Sequence, residues 1–328
     1  MKKILVTGGA GFIGYFLIKK LLEDRDNKIV MIDNMYRGRV DDELKNIINN
    51  KNVTFHQGDL TDKDFIKQLD KDFDYIYHLA AVIGVKNVVE NPDKVLNHNA
   101  IATLNLIEFA KKIKSLKKIL FSSTSEIYAG TLKHYGIDIP TNEEVKLVID
   151  DIKSPRTTYM LSKMYGESIL FNYGFKYNIP FTIVRYHNVY GPRMGFLHVI
   201  PEMLVKISNQ TIIEVASPEH TRSMCFIDDA VEMTIRACEN ISTKKEILNI
   251  GNQSEEISII NLVKLIADVL DKKIKTKMLP DTKGSPKRRC PDISKIVNLT
   301  GYSPKVNIKE GLKKTYNWYK DKLSNKYE

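Results

Sequence analysis

The chain reads as an α/β protein built on a doubly wound parallel sheet. Two observations predict this class. Apolar, β-rich runs alternate with stretches of helical periodicity, and the first run meets a glycine cluster that opens directly into a helix pattern. In that first unit, "KKILVTGGAGFIGYFLIKKLLED", a strand-like run is followed by Phe12, Ile13, Phe16, Leu17, Leu21 and Leu22 at helical spacing. "KIVMIDN" reads as a second strand ending at Asp33 and "VTFHQGD" as a third ending at Asp59. "YIYHLAA", "KKILFSST" and "FTIVRYHNVYG" read as the fourth, fifth and sixth. Helical stretches such as "VLNHNAIATLNLIEFAKK" separate them, and such repeats bind ligands at the carboxyl ends of the strands.

Composition narrows the partners. At 328 residues and 43% apolar content, the chain can bury a good core. No apolar run reaches the roughly 18 residues of a membrane helix, and Met1-Lys2-Lys3 leads straight into a strand, so a cytoplasmic protein is expected. Cys225, Cys238 and Cys290 lack metal-ligand spacing, which argues against a zinc site and a disulfide framework. The net charge of +10 is spread along the chain rather than gathered in an aromatic-interleaved stripe, which argues against nucleic acid and suits an anionic substrate.

The first sixty residues select a cofactor. Gly8, Gly11 and Gly14 stand three apart between strand and helix. There glycine lets the turn close, the backbone approach a pyrophosphate, and the helix pack close to the sheet in a Rossmann arrangement. Asp33 follows at the distance from which a carboxylate bonds a ribose 2′-hydroxyl and repels a 2′-phosphate, which favours NAD over NADP. Arg37 and Arg39 act against that preference.

In this order the residues are recognisable. "TGGAGFIG" (7 to 14), Asp33, "GDL" (58 to 60), "HLAA" (78 to 81), Asn99, "SSTSEIY" (122 to 128), Tyr159 with Lys163, "NVYGPR" (188 to 193), "TRSMCFIDDA" (221 to 230) and "RRCPDISK" (288 to 295) resemble the extended short-chain dehydrogenase/reductases, the nucleotide-sugar epimerase and dehydratase family. The resemblance implies an NAD-binding Rossmann domain over 1–190 and 221–250, and a smaller mixed α/β domain for a nucleotide sugar over 191–220 and 251–328. It implies a homodimer through helices near 94 to 113 and 157 to 175. It also implies cofactor contacts from Gly8, Gly11, Phe12, Ile13, Gly14, Asp33, Asp59, Leu60, Leu79, Ala80, Ala81, Asn99, Tyr159 and Lys163.

The candidate chemistry rests on Thr124, Tyr159 and Lys163. Removing a hydride from a carbinol carbon needs a base for the hydroxyl proton, and a phenol is a poor base at neutral pH. Lys163 lies one helical turn beyond Tyr159, so an ammonium shares its face and, with a positive nicotinamide, is expected to lower the phenol's pKa. Thr124, at a strand end, orients the reacting oxygen.

By resemblance, the hydride leaves C4 of a sugar on a nucleoside diphosphate. Asn188, Arg222 and Arg289 are the matched ligands of that diphosphate, guanidinium being a fork suited to phosphate oxygens, with Lys86, Arg193, Arg288 and His198 as further candidates. A 4-keto sugar then has four fates: epimerisation, release, loss of water, or loss of a C6 carboxyl. Many dehydratases of the family read Thr-Asp-Glu; here Ser125 replaces the Asp, and Glu126 is left as a base, a hydroxyl ligand or a bland polar residue. The leading expectation is a 4-epimerase or 4-dehydrogenase of surface-polysaccharide sugar biosynthesis. The alternatives are a 4,6-dehydratase or decarboxylase using Glu126, and a non-catalytic NAD-sensing protein. Tyr15, Ala102 and His187 depart from the family pattern, and residues 129–156 are expected to form a lid or a surface excursion.

Overall fold

Alternate residues of each central strand face two different cores, because side chains switch sides along a strand. In the computed structural model, which describes residues 1–38, 40–282 and 285–323 (for 85 and 86 the backbone only), Ile4, Val6, Ile29 and Met31 join one cluster while Leu5, Val30 and Ile32 join the other. Burial on both faces explains the continuous apolar runs of the sequence.

The chain forms β1 (Lys3–Thr7), β2 (Lys28–Asp33), β3 (Val53–Gln57), β4 (Tyr75–His78), β5 (Lys118–Thr124) and β6 (Phe181–Tyr186). After these come β7 (Val189–Tyr190), β8 (Ile212–Ala216), β9 (Thr221–Ser223), β10 (Cys225–Phe226) and β11 (Ile247–Ile250). The last strands are β12 (Glu256–Ser258), β13 (Lys275–Leu279) and β14 (Arg288–Arg289). Among the described residues, seven strands make one parallel sheet in the order β11-β6-β5-β4-β1-β2-β3. The order reverses between β1 and β4, which opens a crevice at their carboxyl ends. The helices Phe12–Leu21 and Ile227–Glu239 supply residues to one core, and Pro92–Ala110 and Thr157–Lys176 to the other. No helix among the described residues is long and apolar enough to cross a membrane.

Three sequence expectations change. The third strand stops at Gln57; the Gly58 N–H bonds the Asp33 carbonyl and Asp59 turns away to accept from Thr61. The sixth strand breaks after Tyr186, because Asn188 takes a left-handed φ of 38°, a conformation asparagine tolerates, and β7 pairs instead with β10. The expected domain boundary at residue 221 falls beside a mixed sheet: β9 pairs with β12 antiparallel and with β14 in parallel, so it belongs with the late segments.

Residues 129–156 are anchored at their middle. The Thr141 N–H bonds the Cys290 carbonyl, and the Asp292 N–H bonds the Thr141 carbonyl. The buried Glu143 carboxylate accepts the Asn249 N–H. The excursion therefore docks onto the segment that follows β14.

Candidate functional site

The turn after β1 leaves no room for side chains. Gly8 has φ 75°, and a Cβ there would lie 2.7 Å from the Ala80 nitrogen; a Cβ on Gly14 would lie 2.2 Å from the Gly8 carbonyl oxygen. Gly11 caps the helix Phe12–Leu21 without a side-chain hydrogen bond, so the first amides, including those of Phe12 and Ile13, face the turn unspent. At the end of β2, the Asp33 carboxylate accepts from the Ala10 N–H at 3.0 Å and the Met35 N–H at 2.8 Å. Burial raises its pKa, opposed by those two amides and by Arg37. Burial pushes the Asp59 carboxyl the same way, but hydrogen bonds from Thr61 and Asn34 outweigh it and hold the pKa low. Leu60 is buried with its carbonyl bonded by Asn105, while Leu79, Ala80 and Ala81 follow β4 beside Gly8. A glycine cradle that any Cβ would fill, an uncapped helix start and a carboxylate with spare lone pairs fit NAD.

Asn99 is committed to the protein itself. Its Oδ1 accepts the Val82 N–H at 2.7 Å, and its Nδ2 donates to the Val82 carbonyl and to Ser162 Oγ. Asn99, expected at the cofactor, thereby ties the loop after β4 to the helix Thr157–Lys176. Lys86, expected at the substrate, has its side chain outside the described residues, and Arg39 lies wholly outside them.

Thr124 closes β5, and Tyr159 and Lys163 stand one turn apart on the helix Thr157–Lys176. Thr124 Oγ1 accepts the Glu126 N–H at 3.2 Å, and the Thr124 hydroxyl favours ionisation of the nearby Tyr159 phenol. Lys163, 3% exposed, donates to the Ser122 carbonyl at 2.7 Å with its ammonium 5.9 Å from the Tyr159 ring centre. Burial lowers the Lys163 pKa to about 7, with Glu167 working the other way. The expected drop in the phenol's pKa is not met by the protein's own groups: burial and then the Glu126 carboxylate raise it, against smaller opposing effects of Arg37 and Thr124. A lysine that is itself desolvated and bonded to a carbonyl gives the phenolate little help.

Glu126 lies in the 3-10 turn Ser125–Tyr128, two residues beyond Thr124. Its carboxylate accepts from Arg289 Nη1 at 2.6 Å, and its side chain is 49% accessible while walled by charged neighbours, as the lining of a cleft is. Arg289 first, then Arg156 and Arg222, hold its pKa low against burial. Arg222 donates to Ser285 Oγ at 2.8 Å and to the Thr221 carbonyl; burial and then Arg289 lower its pKa to about 10. Asn188 lies between β6 and β9, its Nδ2 donating to the Ser223 carbonyl.

The structure thus brings Thr124, Glu126, Tyr159, Arg222 and Arg289 together. Arg193 is occupied elsewhere. Its guanidinium pairs with Asp41 at 2.6 Å and Glu43 at 3.3 Å and stacks over the Tyr15 ring, away from Glu126. Arg288 forms a two-pronged pair with Glu256 on the outer face, and His198 is exposed within electrostatic reach of Arg37. His187 is a packed residue. Asn249 spends its Nδ2 on the Thr141 and Asp292 carbonyls, so its Oδ1 accepts from Tyr128 and from His187 Nε2–H. Burial keeps that imidazole neutral, with a pKa of about 3.

Sequence reasoning missed Arg156 and the reach of Arg37 to Tyr159. The signal for Arg156 was its position three residues before the tyrosine, in "SPRTTY". Arg37 sits in a loop whose course no periodicity describes. Among the described residues, no three His, Cys, Asp or Glu side chains gather as a metal site.

A family model described as GDP-mannose 4,6 dehydratase matches residues 5–315. The chain is 33% identical over 313 residues to UDP-glucuronic acid decarboxylase 6 of Arabidopsis thaliana, covering 94% of this chain and 86% of the relative. Among solved structures, a UDP-N-acetylglucosamine 4-epimerase from Methanobrevibacter ruminantium is 30% identical with a TM-score of 0.86, covering 98% of this chain and 99% of that one. UDP-glucuronic acid 4-epimerase from Bacillus cereus, in complex with UDP-glucuronic acid and NAD, is 30% identical with a TM-score of 0.81, covering 97% and 99%.

Proposed function

Because the chain belongs to the GDP-mannose 4,6-dehydratase family of NAD-dependent nucleotide-sugar enzymes, within the short-chain dehydrogenase/reductase superfamily, we propose that it oxidises C4 of a UDP-hexuronate and then removes the C6 carboxyl. The observation that carries this reading is the convergence of Arg156, Arg222 and Arg289 on Glu126 beside Tyr159. A neutral hexose offers such a cluster only its diphosphate; a uronate adds a second anionic group. The similarity to UDP-glucuronic acid decarboxylases supports the same choice.

In this reading Gly8, Gly11, Gly14 and Asp33 hold NAD, which supplies the hydride acceptor for C4. Thr124 orients the C4 hydroxyl and Tyr159 takes its proton, with the neighbouring Lys163 fixing the end of β5 through Ser122. Arg222, Arg289 and Asn188 hold the diphosphate, and Arg156 the sugar carboxylate. The segments 191–220 and 251–328, together with β9, are the substrate side. Exposed Leu96 and Ile101 on the helix Pro92–Ala110 and Tyr165 on the helix Thr157–Lys176 support the two-helix homodimer contact.

A second reading, 4-epimerisation of the same uronate, is supported by the likeness to UDP-glucuronic acid 4-epimerase. Incubating the NAD-loaded protein with UDP-glucuronate separates the two. A product lighter by carbon dioxide supports decarboxylation, a product of unchanged mass supports epimerisation, and turnover of UDP-glucose alone sinks both.

A further inference from the structure

The chain that follows β2 folds back over the glycine cradle. Asn34 Nδ2 donates to Asp59 at 3.0 Å, and a Cβ on Gly38 would lie 2.8 Å from the Ala10 Cβ, within the cradle turn. Gly38 thus rests on the same turn whose Ala10 N–H bonds Asp33. The segment then enters the helix Asp42–Ile48, capped by Asp41 through the Leu44 N–H. At this end it is tied to distant parts of the chain. Arg193 Nη1 donates to Asp41 at 2.6 Å and to Glu43 at 3.3 Å, and the Trp318 indole N–H donates to the other Glu43 oxygen at 2.6 Å. The Arg193 side chain is 8% exposed and its guanidinium lies 4.1 Å from the ring centre of Tyr15, one of the departures from the family pattern. Arg193 also has φ 65°, a left-handed conformation that a long side chain takes only where its surroundings hold it. Trp318 stands on the helix Ile308–Tyr319, where Tyr319 donates its phenol proton to the Met194 carbonyl, next to Arg193.

We propose that Arg193 and Trp318 are positioning residues for the cofactor: through Asp41 and Glu43 they hold the segment after β2 down on the cradle and so slow the release of NAD. Release requires that segment to lift from Ala10. Lifting it takes both carboxylates away from a buried guanidinium, which is unfavourable for a desolvated charge. Entry of the cofactor meets no such barrier, because the ion pairs form after the segment has closed. The effect therefore falls on dissociation rather than association. It concerns the cofactor alone and holds for either fate of the 4-keto sugar.

The test is the release of NADH, followed by the loss of its bound fluorescence when excess NAD is added to the NADH-loaded protein. Trp318→Phe keeps an aromatic ring and loses the donor to Glu43; Arg193→Met keeps a long stem and loses the charge. Each is expected to speed release by roughly 10- to 100-fold, the range for one charged hydrogen bond, with the association rate unchanged. Arg193→Lys is expected to recover part of the slow release, because a single nitrogen makes both bonds to the carboxylates. A merely structural role would lower the urea midpoint of the NAD-free protein and leave release untouched, and that result overturns the proposal. Slower association with unchanged release overturns it too. So does a loss of UDP affinity in Arg193→Met without faster NADH release, which makes Arg193 a substrate ligand. If Arg193→Met does not fold, the release rate of Trp318→Phe decides.

Discussion

Arg289 donates to Glu126 at 2.6 Å across the cleft, joining residues 163 positions apart in the chain. The pair puts a guanidinium beside a carboxylate that acts on Tyr159, so the charge there is set by residues from both halves of the chain. Its consequences, and those of the surrounding groups, are open to measurement.

Tyr159→Phe removes the phenol proposed to take the C4 hydroxyl proton. Turnover is expected to fall by roughly 10²- to 10⁴-fold, the range for a lost general base, while NAD affinity changes little. Steady-state rates and a fluorescence titration of the cofactor check both halves, and normal turnover would refute the role given to Tyr159.

Arg156→Leu removes a cation that acts on Glu126 without a direct hydrogen bond to it. If Arg156 receives the sugar carboxylate, KM for UDP-glucuronate rises by roughly 10- to 100-fold, corresponding to about 1.5–3 kcal/mol for a charged hydrogen bond, and UDP affinity is spared. Equal weakening of UDP and UDP-glucuronate would place Arg156 at the diphosphate instead.

Lys163 gives a pH signature. Its folded pKa, about 7, lies below that of an ordinary lysine near 10.5, so between these values the unfolded chain binds a proton that the native protein does not. Stability of the cofactor-free protein should therefore rise with pH across this window, by at most about 1.4 kcal/mol per unit from this group. Lys163→Met should flatten the slope in urea melts between pH 7 and 10; an unchanged slope would contradict the assignment to Lys163.

Asp33→Ala deletes the carboxylate that accepts from Ala10 and Met35. NAD binding should weaken by about 1.5–3 kcal/mol, roughly 10- to 150-fold, because a charged hydrogen bond to the ribose is lost. NADP, which the carboxylate repels, should lose less or gain. Parallel titrations decide, and an unaltered NAD/NADP ratio would remove Asp33 from cofactor selection.

Much of the fold was readable because its signals are local. The glycine spacing, the strand endings at Asp33 and Thr124, and the four-residue step from Tyr159 to Lys163 each depend on geometry within a few residues. The break after Tyr186 was missed because β-rich composition continues through Asn188, whose left-handed turn no pattern of apolar residues reports. The ion pairs of Arg193 were unreadable for a related reason: an arginine in a motif carries no record of the two carboxylates at 41 and 43 that it meets.

The sequence by itself determined the doubly wound sheet, the cofactor cradle, and the residue types available for C4 oxidation. Only the tertiary structure decided which charges meet. The order of the sheet lays β5 and its following turn in one wall of the cleft, and the pairing of β14 with β9 sets Arg289 beside Arg222 in the other. Coulomb interactions act through space rather than along the chain, so the raised pKa of Tyr159, the paired state of Glu126 and the clamp made by Asn99 existed only once those strands were packed.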